Sequence, residues 1–324
     1  MKAVLCKELS GLGALVVQDV PSPVAGPGQV VVSVKAAGVN FPDVLIVQGK
    51  YQFQPPLPFT PGHEVAGIVK ETGEGVSSPK PGDRVIAFTG TGGFAEEVLT
   101  DAARCIPMPD GMDYPTGAGL VLAHGTSIYA LRDRARLKAG ETLLVLGAAG
   151  GVGLAAVEIG ATIGANVIAA ASSDDKLEVC RKRGAAETVN YSSEDLKARV
   201  KELTGGRGVD VVYDPVGGSY SEPALRSMAW DGRYLVVGFA AGEIPKVPLN
   251  LTLLKSCSIV GVFWGAFVAR DPGRNVELLG ELLAWWSQGK IAPFVSETYP
   301  LERAAEALAD VENRKARGKL VLVV

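Results

Sequence analysis

Three glycines carry the strongest chemical signal in this sequence. Gly147, Gly150 and Gly153 stand at GxxGxxG spacing in LLVLGAAGGVG, residues 143–153. The segment follows an apolar run that reads as a buried strand, and it opens a small-residue run that reads as a helix. In that setting Gly150 and Gly151 let the backbone approach a pyrophosphate. The helix N-terminus offers free N–H groups and partial positive charge, and Gly153 lets the helix pack closely on the strand. The same glycines would also serve a tight strand-to-helix turn that binds nothing. Strand, turn, helix and a second strand within about 30 residues favour a dinucleotide.

The end of that second strand chooses the cofactor. It reads VIAAASS (167–173), followed by Asp174, Asp175 and Lys176. An NAD site places an acid there to bind the ribose 2′-hydroxyl. No acid ends this strand. Ser172, Ser173 and Lys176 supply donors and charge for a 2′-phosphate, so NADPH is expected. Asp174 and Asp175 read as acids favouring the N-terminus of the next helix, with Ser172 and Ser173 placed to cap it. Either aspartate turned inward would favour NAD.

Metal and disulfide chemistry have little material. The chain has two histidines, His63 and His124, and four cysteines, Cys6, Cys105, Cys180 and Cys257, with no CxxC pair. That excludes a zinc ribbon and a disulfide framework, and it suits a reducing compartment.

The elements that must position these residues change character along the chain. Up to about residue 120 the pattern is short strands between Pro/Gly turns (14–20, 30–37, 62–70 and 84–88), a β-rich, partly open barrel. From about 124, apolar strands alternate with helices: strands at 142–146, 166–171, 187–190, 209–213, 234–238 and 258–262, helices at 151–163 and 174–183. That is a doubly wound parallel sheet covered on both faces. Helical periodicity at 275–288 and 301–311 and a strand at 319–324 imply that the C-terminus folds back onto the first domain. The expected division is 1–123 with 266–324 for one domain and 124–265 for the other.

At 324 residues with 47% apolar and 21% charged residues, the chain suits two globular domains. A net charge of -3 argues against a nucleic-acid partner. The apolar stretches 142–157 and 256–269 fall short of the roughly 18–20 residues that span a bilayer. The opening MKAVLCKELSG lacks a signal-peptide core. A cytoplasmic protein without a membrane partner is expected.

The whole chain resembles the medium-chain dehydrogenase/reductase superfamily, and within it the zinc-independent quinone oxidoreductases related to zeta-crystallin. The segments that carry the likeness are AAGVNFPDVLIVQGKY (36–51), PGHEVAGIV (61–69), PGDRV (81–85), GAAGGVG (147–153), TGGRGVDVVYDPVGG (204–218) and RGKLVLVV (317–324). The resemblance implies an α/β fold with a GroES-like β-rich catalytic domain plus a Rossmann-type doubly wound parallel sheet. The zinc branch has a cysteine where this chain has Asn40, and a second one before the nucleotide domain, where this chain reads VLAHGTS (121–127). Catalytic zinc takes three protein ligands, so His63 and Glu64 fall short. No metal is expected, and His63 reads as a hydrogen-bonded residue at a turn.

The resemblance also implies site residues. Asn40 would sit near the nicotinamide ribose. Ala149, Gly150, Gly151 and Val152 would meet the pyrophosphate, and Ser172 and Lys176 the 2′-phosphate. Tyr191 would lie beside the adenosine. Gly238, Phe239 and Phe263 would line the nicotinamide side. Arg317 is either a further phosphate contact or a solvated charge in the run Arg314, Lys315, Arg317 and Lys319. His124, opening the first helix of the nucleotide domain, either lines the cleft or has a plain packing or capping role. Tyr51, in a VQGKY that resembles the QGxY of enoyl-thioester reductases, either donates a proton to the substrate or orders a Pro-rich loop. The cleft would hold Asn40, Leu45, Tyr51, His63, His124 and Phe263, with Phe41, Phe53 and Trp264 as apolar walls or core. Asn40, Tyr51 and His124 are thus the catalytic candidates.

The expected activity is metal-free hydride transfer from NADPH to a quinone or another conjugated carbonyl. Reduction of an enone, alkenal or enoyl-thioester is the alternative, as is NADPH binding without turnover in the manner of a lens crystallin. A homodimer is expected, paired through the strand at 258–262.

Overall fold

The computed structural model describes Met1–Val324 and divides into two compact units, Met1–Leu122 with Pro293–Val324, and Ala123–Ala292. The strands in chain order are β1 (Lys2–Cys6), β2 (Leu15–Asp19), β3 (Gln29–Val39), β4 (Glu64–Thr72), β5 (Arg84–Phe88), β6 (Glu97–Asp101), β7 (Cys105–Pro107), β8 (Thr142–Leu146), β9 (Asn166–Ala171), β10 (Glu187–Asn190), β11 (Val209–Asp214), β12 (Met228–Val236), β13 (Ser258–Gly261), β14 (Val295–Pro300) and β15 (Lys319–Val323).

The first unit is built on a seven-stranded sheet of order β14-β15-β3-β4-β5-β7, with β6 also paired to β3. Its spine is β3, whose Val-rich run is mostly buried; β-branched residues suit a pleated, packed surface. Antiparallel β15 lies along β3, with Leu320 opposite Val39 and Val323 opposite Ala36, so the C-terminal strand completes this unit as expected. The core gathers Val32, Val65, Val85, Phe94, Leu308 and Leu322. At Gly38 a Cβ would stand 2.3 Å from the Ala118 carbonyl oxygen and 2.5 Å from Glu64 Oε1. Only glycine allows that approach, and it brings Glu64 to the end of β3.

The second unit is a six-stranded, all-parallel sheet of order β10-β9-β8-β11-β12-β13. Numbered within the unit this is 3-2-1-4-5-6, the doubly wound order, whose ligand crevice lies outside the carboxyl ends at the reversal between β8 and β11. All five residues of β8 are buried, which accounts for its unbroken apolar sequence.

Two expected boundaries differ. The chain returns to the first unit at Pro293 rather than at 266, because the Pro272–Ser287 helix packs into the second unit. Trp264 Nε1 donates to Asn275 Oδ1 at 3.1 Å, and Arg274 pairs with Asp133 at 2.8 Å. Strand β12 begins at Met228 rather than 234. Its residues between Met228 and Arg233 bulge out through Asp231 (φ 60), so the strand runs on through an irregular stretch before its apolar segment.

Candidate functional site

In the second unit the glycine turn joins β8 to the Gly151–Ile163 helix. Gly147 takes φ 56, and Gly150 is the N-cap, with no side chain capping the first turn. Those first N–H groups are therefore left for a ligand. A Cβ on Gly153 would lie 2.3 Å from the Gly147 carbonyl oxygen, so the helix seats directly on the turn. Gly150, Gly151 and Val152 lie at this helix start, and Ala149 is buried beneath it. Ser127 ties the seat down. Its hydroxyl lies 2.9 Å from the Val152 carbonyl and 2.9 Å from the Tyr213 hydroxyl.

At the neighbouring strand ends, Ser172, Lys176 and Tyr191 come together as the sequence suggests. Lys176 Nζ reaches Ser172 Oγ at 3.4 Å, and Tyr191, just past β10, donates its N–H to the Ala171 carbonyl at 3.1 Å. The Tyr191 ring also lies 4.3 Å from that of Tyr220. The two aspartates are held locally. Asn190 Nδ2 donates to Asp174 Oδ1 at 2.9 Å, and the Ser173 hydroxyl donates to Asp175. Ser173 occupies the N-cap position of the Asp174–Lys182 helix, but its side chain caps no backbone N–H, contrary to the sequence reading. The carboxylate of Asp175 has taken its hydroxyl.

Gly238, Phe239 and Phe263 follow the ends of β12 and β13, on the same edge of the sheet as the glycine turn. Phe239 and Phe263 are exposed. Beneath them lies Asp214, which sequence reasoning missed. Buried at the end of β11, it accepts from Val216 and Gly217 N–H, each at 2.8 Å, from Ser221 Oγ at 2.9 Å, and from the Tyr234 hydroxyl. The DPVGG turn is its signal, since an aspartate before a turn commonly takes the N–H two residues on.

His124 does not open its helix. It sits in the middle of Val121–Ile128, is 2% exposed, and places Nε2 3.1 Å from Glu158 Oε2. Glu158 in turn pairs with Arg183 at 2.9 Å. Trp264 is buried, so of its two readings the structure gives the packing one.

The first unit holds a buried polar cluster. Asn40 is the N-cap of the Phe41–Val47 helix, and its N–H donates to Asp43 Oδ2 at 2.9 Å. Asp43 Oδ1 lies 2.5 Å from His63 Nδ1 and accepts the Gly62 N–H at 3.0 Å. His63 is thus hydrogen-bonded at a turn, as expected. The Tyr51 ring meets that of His63 edge-on at 5.8 Å, and burial first, then the Asp43 charge, raises the Tyr51 pKa above its ordinary value. Asn40 Nδ2 donates to Glu64 Oε1 at 2.9 Å, and Glu64 Oε2 accepts the Leu122 N–H at 2.7 Å. Lys319, which shares a basic run with Arg317, is 3% exposed and donates to Asn40 Oδ1 at 2.5 Å and to Glu64 Oε1 at 2.8 Å. Arg317, two residues earlier, is exposed.

The chain matches the family models "Zinc-binding dehydrogenase" over residues 151–281 and "Alcohol dehydrogenase GroES-like domain" over 26–110. It is 44% identical to "Quinone oxidoreductase-like protein 2" of Bos taurus, across 99% of this chain and 92% of that one. It belongs to the quinone oxidoreductase family of the medium-chain dehydrogenase/reductase superfamily. Another relative is "Quinone oxidoreductase" of Rattus norvegicus, 35% identical across 100% of this chain and 98% of that one. Among solved structures of the family, Escherichia coli quinone oxidoreductase complexed with NADPH superposes with a TM-score of 0.93 at 29% identity, covering 100% of both chains.

The zinc of the superfamily's metal-dependent members does not fit the residues present. His63 Nδ1 is taken by Asp43, and the oxygens of Asn40 and Glu64 face the Lys319 ammonium, itself a cation. No group of three His, Cys, Asp or Glu is placed to hold a metal ion. A dinucleotide fits, because the Gly147–Gly153 turn seats the helix directly on the strand and leaves its first turn without a side-chain cap.

Proposed function

We propose that this chain is an NADPH-dependent oxidoreductase that reduces a quinone or another conjugated carbonyl acceptor. The observation that carries the reading is the end of β9, where Ser172 and Lys176 stand together while Asp174 and Asp175 are held by Asn190 and Ser173. Such a site offers a hydroxyl and an ammonium to a 2′-phosphate, while the two neighbouring carboxylates are engaged by other side chains.

Bound NADPH would supply the hydride. The chain's own residues bind, orient and hold protons. The bare helix N-terminus at Gly150–Gly151–Val152 binds the pyrophosphate, and Ala149 keeps the turn closed beneath it. Tyr191 flanks the adenosine; Gly238, Phe239 and Phe263 border the nicotinamide. Tyr51, kept neutral by burial and by Asp43, holds a proton for the carbonyl oxygen as negative charge develops there. The exposed Ile259 on edge strand β13, with Leu253 and Leu254 exposed nearby, supports pairing with a second copy of the chain. Four unpaired cysteines fit a cytoplasmic setting, and no helix is long and apolar enough to cross a membrane.

The test is oxidation of NADPH and NADH in parallel with 1,4-quinones, alkenals and crotonyl thioesters. Turnover with NADPH and quinones supports the reading. Turnover confined to thioesters or alkenals moves the assignment to enoyl reduction. Tight NADPH binding without turnover moves it to a binding protein. A preference for NADH overturns the cofactor assignment.

A further inference from the structure

We infer that a pocket beyond the amino ends of β9 and β10 binds a small phosphate ester, at a site separate from the glycine turn. The pocket has a volume of about 530 Å³, and all of its lining residues belong to the second unit. Three stretches of chain build it: the last turns of the Gly151–Ile163 helix, the turn after the Asp174–Lys182 helix and the turn after the Pro272–Ser287 helix. The first two helices start where the glycine turn, Ser172 and Lys176 lie, and the pocket is at their other ends. At about 1.5 Å per residue, Thr162 stands about 16 Å along its helix from Gly151, and Lys182 about 9 Å along its helix from Lys176. The pocket is therefore distinct from the residues assigned to NADPH.

The charges that line this pocket do not balance. Lys182, Arg183 and Lys290 are cationic and Glu158 alone is anionic, in a chain whose net charge is -3. Glu158 is 5% exposed and already engaged. Its Oε1 accepts from Arg183 Nη1 at 2.9 Å and from the Ala292 N–H at 3.4 Å, and its Oε2 faces His124 Nε2 at 3.1 Å. Arg183 also donates to the Ala292 carbonyl, so this ion pair ties the helix to the last turn. Gly184 permits the approach: it takes φ 104, and a Cβ there would stand 2.7 Å from Ala161 Cβ. With Arg183 and Glu158 matched, the two lysines are left over. No carboxylate pairs with Lys290. Lys182 reaches only Glu178, at 3.6 Å, and shares it with Arg181; exposed pairs of this kind contribute little. Each ammonium offers three donors and no acceptor, a demand that a phosphate meets with oxygens on every side. The volume falls within the roughly 300–1,000 Å³ of small-ligand pockets, so the phosphate carries an organic body. The Thr162 hydroxyl donates to the Glu158 carbonyl at 2.8 Å and keeps a lone pair for a hydroxyl of that body.

The experiment is calorimetric titration of the full chain at about 0.15 M salt, alone and saturated with NADPH, with glucose 6-phosphate, inorganic phosphate and citrate as probes. Glucose 6-phosphate is expected to bind both forms with affinities within about twofold, and more tightly than either other probe. Lys182→Glu and Lys290→Glu, at exposed positions, are each expected to weaken it about tenfold and to leave NADPH affinity unchanged. Lys197→Glu makes the same charge change on an exposed residue elsewhere in the unit and is expected to leave glucose 6-phosphate binding unchanged. Absence of binding overturns the inference. So does a loss from Lys197→Glu equal to the other two, which marks general charge attraction, or a loss on saturation with NADPH, which puts the probe in the cofactor site. Citrate or inorganic phosphate bound as tightly as glucose 6-phosphate overturns the assignment to a phosphate ester. If the chain binds no NADPH, the cofactor reading fails by itself, and the three lysine variants still decide this site.

Discussion

The glycine cradle makes a prediction that separates fold from cofactor. In Gly153→Ala the new Cβ would lie 2.3 Å from the Gly147 carbonyl oxygen and 2.9 Å from Ala148 Cα. Both neighbours are backbone, so no side chain can swing aside. To reach ordinary contact the helix must retreat by about 1 Å. Overpacking of this kind costs about 1–3 kcal/mol, and rigid neighbours place it at the upper end. The helical preference of alanine over glycine returns about 1 kcal/mol, leaving a net loss of about 2 kcal/mol. For a domain of this size that lowers the melting temperature by about 4–8 °C. The same retreat carries the first-turn N–H groups away from the pyrophosphate, so NADPH affinity falls at least tenfold. Gly150→Ala is the matched control. Its Cβ would lie 3.4 Å from the nearest atom, and Gly150 has φ -79, which any residue adopts. The apo protein should melt within about 2 °C of wild type. As the N-cap it stands beside the first-turn N–H groups that would meet the pyrophosphate, so NADPH affinity should still fall. The assay is scanning calorimetry of the apo proteins with calorimetric titration of NADPH. A Gly153→Ala protein with wild-type melting and wild-type NADPH affinity would show that neither the fold nor the cofactor needs the close seat, and a Gly150→Ala protein that binds normally would show that the cofactor does not meet this turn.

Other outcomes follow from the polar groups. Tyr51→Phe should slow carbonyl reduction at least tenfold. Because the Tyr51 pKa is raised, its phenol stays protonated below that pKa, so the wild-type rate should not fall on this account before about pH 10; equal rates for wild type and Tyr51→Phe would make the residue structural. Asp214→Ala strands four donors at the end of β11 and should cost more than about 4 kcal/mol in urea unfolding, whereas a cost under about 1 kcal/mol would show that water replaces the carboxylate. Burial pushes the Cys180 thiol up to about 12, so about one molecule in ten thousand carries the thiolate at pH 8; iodoacetamide labelling at the rate of a free cysteine in the native protein would contradict its burial. Ile259→Glu on the exposed edge strand should yield monomers in sedimentation equilibrium where wild type is dimeric, and a wild-type monomer would remove the proposed pairing.

Much of the architecture was legible because strand and helix periods show in short windows. The Gly151–Ile163 helix, β5 and β10 lie at the residues that pattern and turn signals give. The glycine turn was legible for a related reason, since positive φ and close backbone approach restrict the residue type at the position itself. The end of β9 was half legible. The absence of a terminal acid can be read directly, but the hold on Asp174 depends on Asn190, sixteen residues later.

The parallel nucleotide unit, the glycine turn and the shortage of zinc ligands are all legible in the chain, because they are properties of neighbouring residues or of residue counts. The roles of single polar residues came from the packing of distant segments. Lys319 sits in a basic run at the start of an apolar strand, and nothing beside it in the sequence names a partner. It is buried because β15 lies beside β3, and that pairing delivers an ammonium to Asn40 and Glu64 across some 280 residues of chain. His124 likewise became a partner of Glu158, and Asp214 an acceptor of four donors, only when distant segments met. Periodicity is set by local geometry, whereas the partner of a buried charge is set by whichever strand the fold places beside it.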